Sequence, residues 1–212
     1  MLSPPHRASR RRTARRQAVI WRSERARKLP VSIGGIKAFR QQYGADFVSV
    51  MPTNLYGPCD NYHPEDSHVP AALIRRLHEA KIAGAPTVTI WGTGRPRREF
   101  LAVDDLADAC VFVLKHYSGS KFLNVGTGQD ITIAEFAQLV GDVVGYRGRF
   151  VFDTARPDGA SQKLLNVAEL TRLGWRAKIP LREGIAAAYA DFLAHGGKRS
   201  QVPLQEDVNI SA

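Results

Sequence analysis

The stretch TVTIWGTGRPRREFLAVDDLADACVFVLKH (87–116) contains a full strand, turn, strand and helix pattern. Its first five residues are β-branched or aromatic, which predicts a strand over 87–91. The glycines and proline of GTGRP (92–96) predict a turn, and REFL (98–101) is a second short strand. Asp104 or Asp105 then begins a helix through DLADACVFVLKH. Strands that alternate with helices indicate an α/β fold.

The same alternation continues on both sides of this stretch. Further strands are predicted over 46–51, 122–125 and 149–152, and further helices over 33–44, 68–83 and 181–194. The segment 52–67 is rich in Pro, Gly, Asn and Asp and is expected to be a loop. Helix-capping residues are expected at Asp66 or Ser67, at Thr132 with Glu135, and at Asn166 with Glu169.

The composition is that of a soluble globular protein, with 44% apolar and 24% charged residues. Cys59 and Cys110 do not have metal-ligand spacing and suggest no disulfide framework, which favours a reducing cytoplasm. No apolar run approaches the ~20 residues of a membrane span, and the start lacks the apolar stretch of a secretory signal. We therefore expect a cytoplasmic protein that binds no metal and no membrane.

Positive charge is concentrated at the N-terminus. Residues 1–28 carry a net charge of +9, whereas residues 29–212 carry +1. The segment 1–32 has almost no apolar periodicity, so we expect it to be disordered. It fits a basic arm for nucleic acid or anionic membrane, a targeting peptide, or a stretch read in a wrong frame. We favour the third interpretation and expect no specific nucleic-acid partner.

Four polar segments could carry chemistry, because they lie in loops or at the ends of predicted elements. Asn54 could bond a phosphate or carbonyl, although a turn asparagine usually bonds its own backbone. His68 could act as an acid or base, or simply occupy a helix start. Trp91 could stack on a flat base or belong to the core. The cluster Arg95, Arg97 and Arg98 suits a diphosphate, and ARPDGASQK (155–163) is either a binding loop or an ordinary turn.

Taken in order, these segments resemble GDP-L-fucose synthases, which are extended short-chain dehydrogenase/reductases. The resemblance rests on SVMPTNLYGPCDNYHPEDSHVPAALIRR, VTIWGTGRPRREFLAVDDLADA, FLNVGTG and VFDTARPDGASQKLLNV, and covers about residues 34–195. It implies an enzyme whose N-terminal Rossmann half holds NADP(H) and whose C-terminal half holds a GDP-sugar. Such enzymes epimerise C3 and C5 of GDP-4-keto-6-deoxy-D-mannose and reduce C4.

The resemblance also implies roles for individual residues. Pro52, Thr53, Asn54 and Leu55 match the segment that lines the nicotinamide side of the cofactor. His68 matches a catalytic acid or base for epimerisation that also lies near the cofactor. The residues that match positions holding the GDP-sugar are Arg76, Trp91, Arg98, Asp158 and Lys163, with Arg98 on the diphosphate.

The chain departs from the family in its first part. It contains no glycine-rich phosphate loop, and the family's Tyr-x-x-x-Lys pair falls on Lys28 and Ser32. We therefore expect the C-terminal substrate-binding part of the fold, with the Rossmann half largely missing. We divide the chain into a basic segment (1–32), a Rossmann remnant (33–51), a GDP-sugar-binding domain (52–196) and a loose tail (197–212).

Two further expectations follow from that division. The chain alone is expected to be inactive, and the alternatives to an enzyme are a non-catalytic remnant and a basic-armed nucleic-acid-binding protein. Family members are commonly homodimers through helices of the missing half, so we do not assume a dimer here.

Overall fold

The computed structural model describes residues 17–20 and 30–196 of the 212-residue chain. The strands in that part are β1 (Gln17–Ile20), β2 (Phe47–Pro52), β3 (Asn54–Tyr56), β4 (Thr87–Trp91), β5 (Arg97–Ala102), β6 (Leu123–Val125), β7 (Asp130–Thr132), β8 (Arg149–Asp153) and β9 (Gln162–Lys163). The helices are α1 (Pro30–Tyr43), α2 (Val69–Ile82), α3 (Val103–His116), α4 (Ile133–Val144), α5 (Ala168–Arg172) and α6 (Leu181–His195).

The strands form small sheets in which parallel pairing dominates, as the predicted α/β class requires. β1, β2 and β6 make one parallel sheet in that order, and β4 pairs in parallel with β8. In the remaining sheet, β5 pairs in parallel with β3 and β9 and antiparallel with β7. Thr53 alone separates β2 from β3, so the chain passes directly from the first sheet to the sheet of β5.

Two hydrophobic clusters lie on either side of β5. One joins residues of α2, α4 and α6 with β4 and β5, and in it Phe136 stacks on Phe100 with 4.1 Å between ring centres. The other joins α3 and α5 with β2 and β6, and it contains Leu101. Because side chains alternate along a strand, β5 contributes to both clusters and is fixed between them.

The local signals in the sequence explain how α4 begins and ends. The Thr132 side chain accepts a hydrogen bond from the Glu135 backbone N–H, and the Glu135 carboxylate accepts one from that of Thr132. This confirms the predicted capping box, which typically stabilises a helix by about 1 kcal/mol. The helix ends at Gly145, whose φ of 80° is left-handed and favours glycine.

Several boundaries differ from the prediction. The N-cap residue of α2 is His68 rather than Asp66 or Ser67, and among the described residues no side chain caps that end. Val167 rather than Asn166 is the N-cap residue of α5, although the Asn166 side chain accepts a bond from the Ala168 N–H. β3 lies within the segment predicted to be a loop, because pairing with β5 extends the backbone there.

The structure describes two parts of the N-terminal segment 1–32. β1 pairs in parallel with β2 and α1 includes residues 30–32, so the prediction of disorder is wrong at residues 17–20 and 30–32. α1 begins at Pro30, three residues before the predicted start. Residues 1–16 and 21–29, and the tail expected to be loose over 197–212, lie outside the described residues. The proposed division into domains stays a prediction.

The helices that the structure describes are too short or too polar to cross a membrane.

Candidate functional site

Arg97 and Arg98, the first two residues of β5, have different partners. Arg97 donates from Nε to the Asp130 carboxylate of β7 at 2.7 Å, and so forms an ion pair within its sheet. Arg98 lies opposite Lys163 in the parallel pairing of β5 with β9. Residues opposite each other in a parallel pair lie on the same face of the sheet, so Arg98 and Lys163 form a doubly positive surface.

The Arg98 guanidinium is close to the loop that precedes β9. Its Nη1 donates to the Arg97 carbonyl at 2.7 Å. Its Nη2 would lie 3.2 Å from a Cβ placed on Gly159. The side chain is therefore partly held by backbone, and it lies over a glycine that leaves room next to it.

Asp158 connects this loop to the turn before β5. Its carboxylate accepts hydrogen bonds from the Thr93 backbone N–H at 2.9 Å and the Thr93 hydroxyl at 2.6 Å. These bonds, together with the charges of Arg95 and Arg98, lower the pKa of Asp158. Gly92 packs against the same carboxylate so closely that a Cβ there would collide with it. In this structure Asp158 positions the loop.

Trp91 is the exposed aromatic group of the region. Its side chain, at the end of β4, is 66% exposed. The Arg156 guanidinium lies 4.9 Å from the ring centre, and Arg156 also faces the Asp153 carboxylate at 3.9 Å. One side of the indole is covered by a cation, while its large exposed fraction leaves surface on which a flat base can stack.

Arg76 and Arg75 occupy different surroundings on α2. Arg76 donates to the Thr89 carbonyl in β4, two residues before Trp91, and burial lowers the pKa of its guanidinium. Arg75 instead pairs with Glu79 one turn further along the helix, at 2.8 Å. The helix therefore directs Arg76, and not Arg75, toward the strand that carries Trp91.

The predicted cofactor residues at the β2–β3 junction are tied to β5. The Thr53 N–H donates to the Val125 carbonyl at 3.0 Å. The Thr53 hydroxyl and the Asn54 amide both donate to the Glu99 carbonyl, at 3.1 and 2.8 Å. Pro52 is buried. The Asn54 amide nitrogen therefore bonds the main chain of β5.

His68 lies at the edge of a cavity of about 330 Å³. The lining residues are Leu55, Tyr56, Gly57, Pro58, Cys59, Asp60, Asn61, Asp66, His68 and Val103. Burial, and secondarily the Asp105 charge, raises the pKa of Tyr56 to about 12, so its hydroxyl stays protonated at neutral pH. Of the predicted cofactor residues, the cavity brings Leu55 and His68 together.

A larger cavity, of about 700 Å³, is lined by none of the residues to which the resemblance assigns a role. It is bordered by β5, β7 and the segment that leads into α6, and Arg97, Asp130 and Lys178 are among its lining residues. Arg97 and Asp130 pair with each other, and Lys178 pairs with Asp108 at 3.0 Å. These three charged groups thus have partners within the fold, and we do not assign the cavity to the site.

Two buried carboxylates were not predicted from the sequence to be functional residues. Glu99 is 0% exposed and Asp105 is 3% exposed. The only signal for Glu99 was a carboxylate inside an apolar strand, REFL, where a charge needs a specific partner. Across residues 17–20 and 30–196, no group of three or more His, Cys, Asp and Glu side chains is arranged to hold a metal ion.

The known proteins that are similar to this chain agree with one another. Residues 34–126 match the family model for the NAD dependent epimerase/dehydratase family. GDP-L-fucose synthase 1 of Arabidopsis thaliana is 55% identical over 164 residues, which are 76% of this chain and 51% of the relative. GDP-L-fucose synthase of Escherichia coli (strain K12) is 50% identical over 173 residues, 76% of this chain and 54% of the relative.

A solved structure agrees with the sequence relatives. The GDP-L-fucose synthetase from Naegleria fowleri bound to NADP is 28% identical, with a TM-score of 0.70 over 77% of this chain and 50% of that chain. This chain spans about half the length of the curated relatives it matches. Residues 34–126 thus match the NAD dependent epimerase/dehydratase family, and the chain is similar to the C-terminal part of GDP-L-fucose synthases.

Proposed function

We propose that this chain is the GDP-sugar-binding part of a GDP-L-fucose synthase-like enzyme. The complete enzyme uses NADPH to convert GDP-4-keto-6-deoxy-D-mannose to GDP-L-fucose by epimerisation at C3 and C5 and reduction at C4. The observation that carries the proposal is the segment 153–163, which contacts Trp91 through Arg156 and lies against Arg98 at Gly159, and which ends at Lys163 opposite Arg98. Residues 29–212 carry a net charge of only +1, so this local excess of cations calls for an anionic ligand.

Each residue of the group has a role in this proposal. Arg98 binds the diphosphate, because a guanidinium matches phosphate oxygens with paired N–H groups. Lys163, opposite it on β9, adds a second charge. Trp91 offers the exposed part of its ring to the guanine base. Arg76 and Asp158 line the nucleotide pocket, Arg76 from α2 and Asp158 from the loop fixed by Thr93.

The cofactor-side residues fit only one end of NADPH. The 330 Å³ cavity next to His68 and the junction 52–55 offer a wall for the nicotinamide, and the chain has no glycine-rich loop for the phosphates. When bound, NADPH supplies the hydride that reduces C4. His68 acts as an acid or base, because imidazole exchanges protons near neutral pH and the 4-keto group acidifies the C–H bonds at C3 and C5. A cytoplasmic location belongs to the same proposal.

The test compares two neighbouring arginines of β5 in the 212-residue chain. We expect Arg98→Ala to weaken GDP binding by about tenfold or more, because a charge-assisted hydrogen bond contributes roughly 1.5–3 kcal/mol. Arg97→Ala removes the same group from the opposite face of the strand and should change the affinity less than about twofold. Isothermal titration calorimetry measures both.

Two results would reject the proposal. One is a folded wild-type chain that binds neither GDP nor a GDP-sugar. The other is an equal loss of affinity in Arg98→Ala and Arg97→Ala, since that would show a general effect of charge rather than a site on one face of β5.

A further inference from the structure

We propose that Glu99 is a positioning residue for the GDP-sugar site, an inference that rests on the proposed function. Glu99 lies in β5 between Arg98 and Phe100, and its side chain is 0% exposed. A buried carboxylate is costly unless hydrogen-bond donors surround it. The segments that supply those donors are therefore held at fixed positions around β5.

The donors come from two segments that are far apart in the chain. Oε1 accepts from the Gly128 backbone N–H at 2.7 Å and, more weakly, from the Thr127 hydroxyl at 3.4 Å. Oε2 accepts from the Leu165 backbone N–H at 2.9 Å. Gly126 packs against the same carboxylate so tightly that a Cβ there would collide with it. One side chain thus joins the turn after β6 to the segment after β9.

The bond to Leu165 bears directly on the cationic surface. β9 consists of only two residues, and it places Lys163 opposite Arg98. So short a strand is weakly held by its own pairing. Leu165 follows Lys163 by two residues, so its bond to Glu99 fixes the end of β9 and maintains the register between the two cations.

The main chain of Glu99 holds the cofactor-side junction as well. Its carbonyl accepts the hydrogen bonds of Thr53 and Asn54, which the proposed function places next to the nicotinamide. The Glu99 side chain thus fixes segments next to the Arg98 surface, and its carbonyl fixes the junction of Thr53 and Asn54. Substitution of the Glu99 side chain removes its bonds to Gly128 and Leu165. The bonds from Thr53 and Asn54 to the Glu99 carbonyl stay in place.

Asp105 provides a matched control elsewhere in the fold. It is 3% exposed, and its carboxylate accepts from the backbone N–H groups of Lys178 at 3.1 Å and Ile179 at 3.0 Å. Lys178 and Ile179 line the 700 Å³ cavity and not the Arg98 surface. Asp105→Asn therefore disturbs a comparable buried carboxylate without touching β9.

The experiment titrates the 212-residue chain, Glu99→Gln and Asp105→Asn with GDP, and records the melting temperature of each. Glutamine keeps the shape of the side chain, but its NH2 group must face a backbone N–H, so one bond is lost to a donor–donor contact. Both variants should have a lower melting temperature than the wild-type chain. We expect Glu99→Gln to weaken GDP binding about tenfold and Asp105→Asn less than about twofold.

The outcomes separate this inference from the proposed function. If the wild-type chain does not bind GDP, the proposed function is wrong, and this inference falls with it. Suppose that the wild-type chain binds GDP. If Glu99→Gln and Asp105→Asn then have equal GDP affinities, or if each loses affinity in proportion to its drop in melting temperature, Glu99 is only structural and the positioning role is wrong.

A second measurement decides the question if Glu99→Gln does not fold. In the wild-type chain, GDP should slow amide hydrogen exchange at Gly128 and Leu165 more than at Lys178 and Ile179, because ligand binding stabilises the segments that form its site. Equal slowing at both pairs, or none at Gly128 and Leu165 under saturating GDP, would overturn the inference.

Discussion

The proposed substrate side of the site, around Arg98, and the proposed cofactor side, around His68, differ in how much of each this chain supplies. On the substrate side, β4, β5, β9 and the loop before β9 are joined by mutual contacts such as Asp158 with Thr93. On the cofactor side, Thr53 and Asn54 bond back to β5, and His68 borders a cavity of about 330 Å³.

In the proposed enzyme, the two sides would depend on different parts of the chain. The substrate side is built from strands that pair with one another within residues 87–163. The cofactor side offers one wall, and the sequence contains no strand followed by a glycine-rich phosphate loop. We therefore expect the chain to bind nucleotide diphosphate without carrying out the reaction.

The largest effect expected is on turnover. The 212-residue chain should show no NADPH-dependent conversion of GDP-4-keto-6-deoxy-D-mannose, because hydride transfer needs a firmly held cofactor. NADPH absorbance measures this, with the full-length Arabidopsis thaliana relative as positive control. Measurable product from the purified chain would contradict the expectation and show that the cofactor side is complete.

A smaller effect is expected from Asp158→Asn, which tests how the substrate-side loop is fixed. Asparagine can accept only one of the two Thr93 hydrogen bonds, so GDP affinity at pH 7 should fall about fivefold. Calorimetry of the wild-type chain and of Asp158→Asn at several pH values measures the difference in their GDP affinity. Protonation of GDP itself affects both measurements equally.

The pH dependence of that difference follows from the pKa of Asp158. The Thr93 bonds lower this pKa below its unfolded value of about 3.9. In the folded chain, Asp158 keeps its charge and its Thr93 bonds until the pH falls through this lowered pKa. The difference should therefore stay constant from about pH 5 to 8 and decrease below about pH 4. A difference that changed between pH 5 and 8 would implicate another group.

Local signals predicted much of the fold correctly. The strand over 87–91 is found at the predicted residues, and the Thr132–Glu135 capping box begins α4 as expected. Both depend on neighbours within a few residues, where side-chain shape and hydrogen bonding act directly. Trp91 ends β4 and Arg98 lies near the start of β5, as the predicted strands indicated.

Contacts between distant segments were not predictable. β3 and β9 exist because β5 offers them hydrogen bonds, and the sequence within each is too short to specify a strand. The partners of Asn54 and Asp158, and the buried position of Glu99, depend on residues 28 to 66 positions away. The sequence identified Asn54 and Asp158 as candidates but not Glu99, and only the fold shows which groups these side chains bond.

The smallest effect on GDP binding is expected from Asn54→Ala, which tests whether the two sides are separable. The substitution removes a hydrogen bond to the Glu99 carbonyl, so the free energy of unfolding should fall by about 1 kcal/mol. The carbonyl keeps the Thr53 hydroxyl, and β5 keeps its pairing with β7 and β9, so GDP affinity should change less than about twofold.

Asn124→Ala is a matched control for that variant, because the Asn124 amide also donates to a distant carbonyl, that of Asn166, at 2.9 Å. Urea unfolding and GDP titration of the two variants should give similar losses of stability and unchanged affinity. If Asn54→Ala weakened GDP binding as much as Arg98→Ala, the junction before β3 would have to contribute to the geometry around the diphosphate. The substrate side would then extend through Glu99 to residues that we place next to the nicotinamide, because β5 contacts both groups in the described part of the chain.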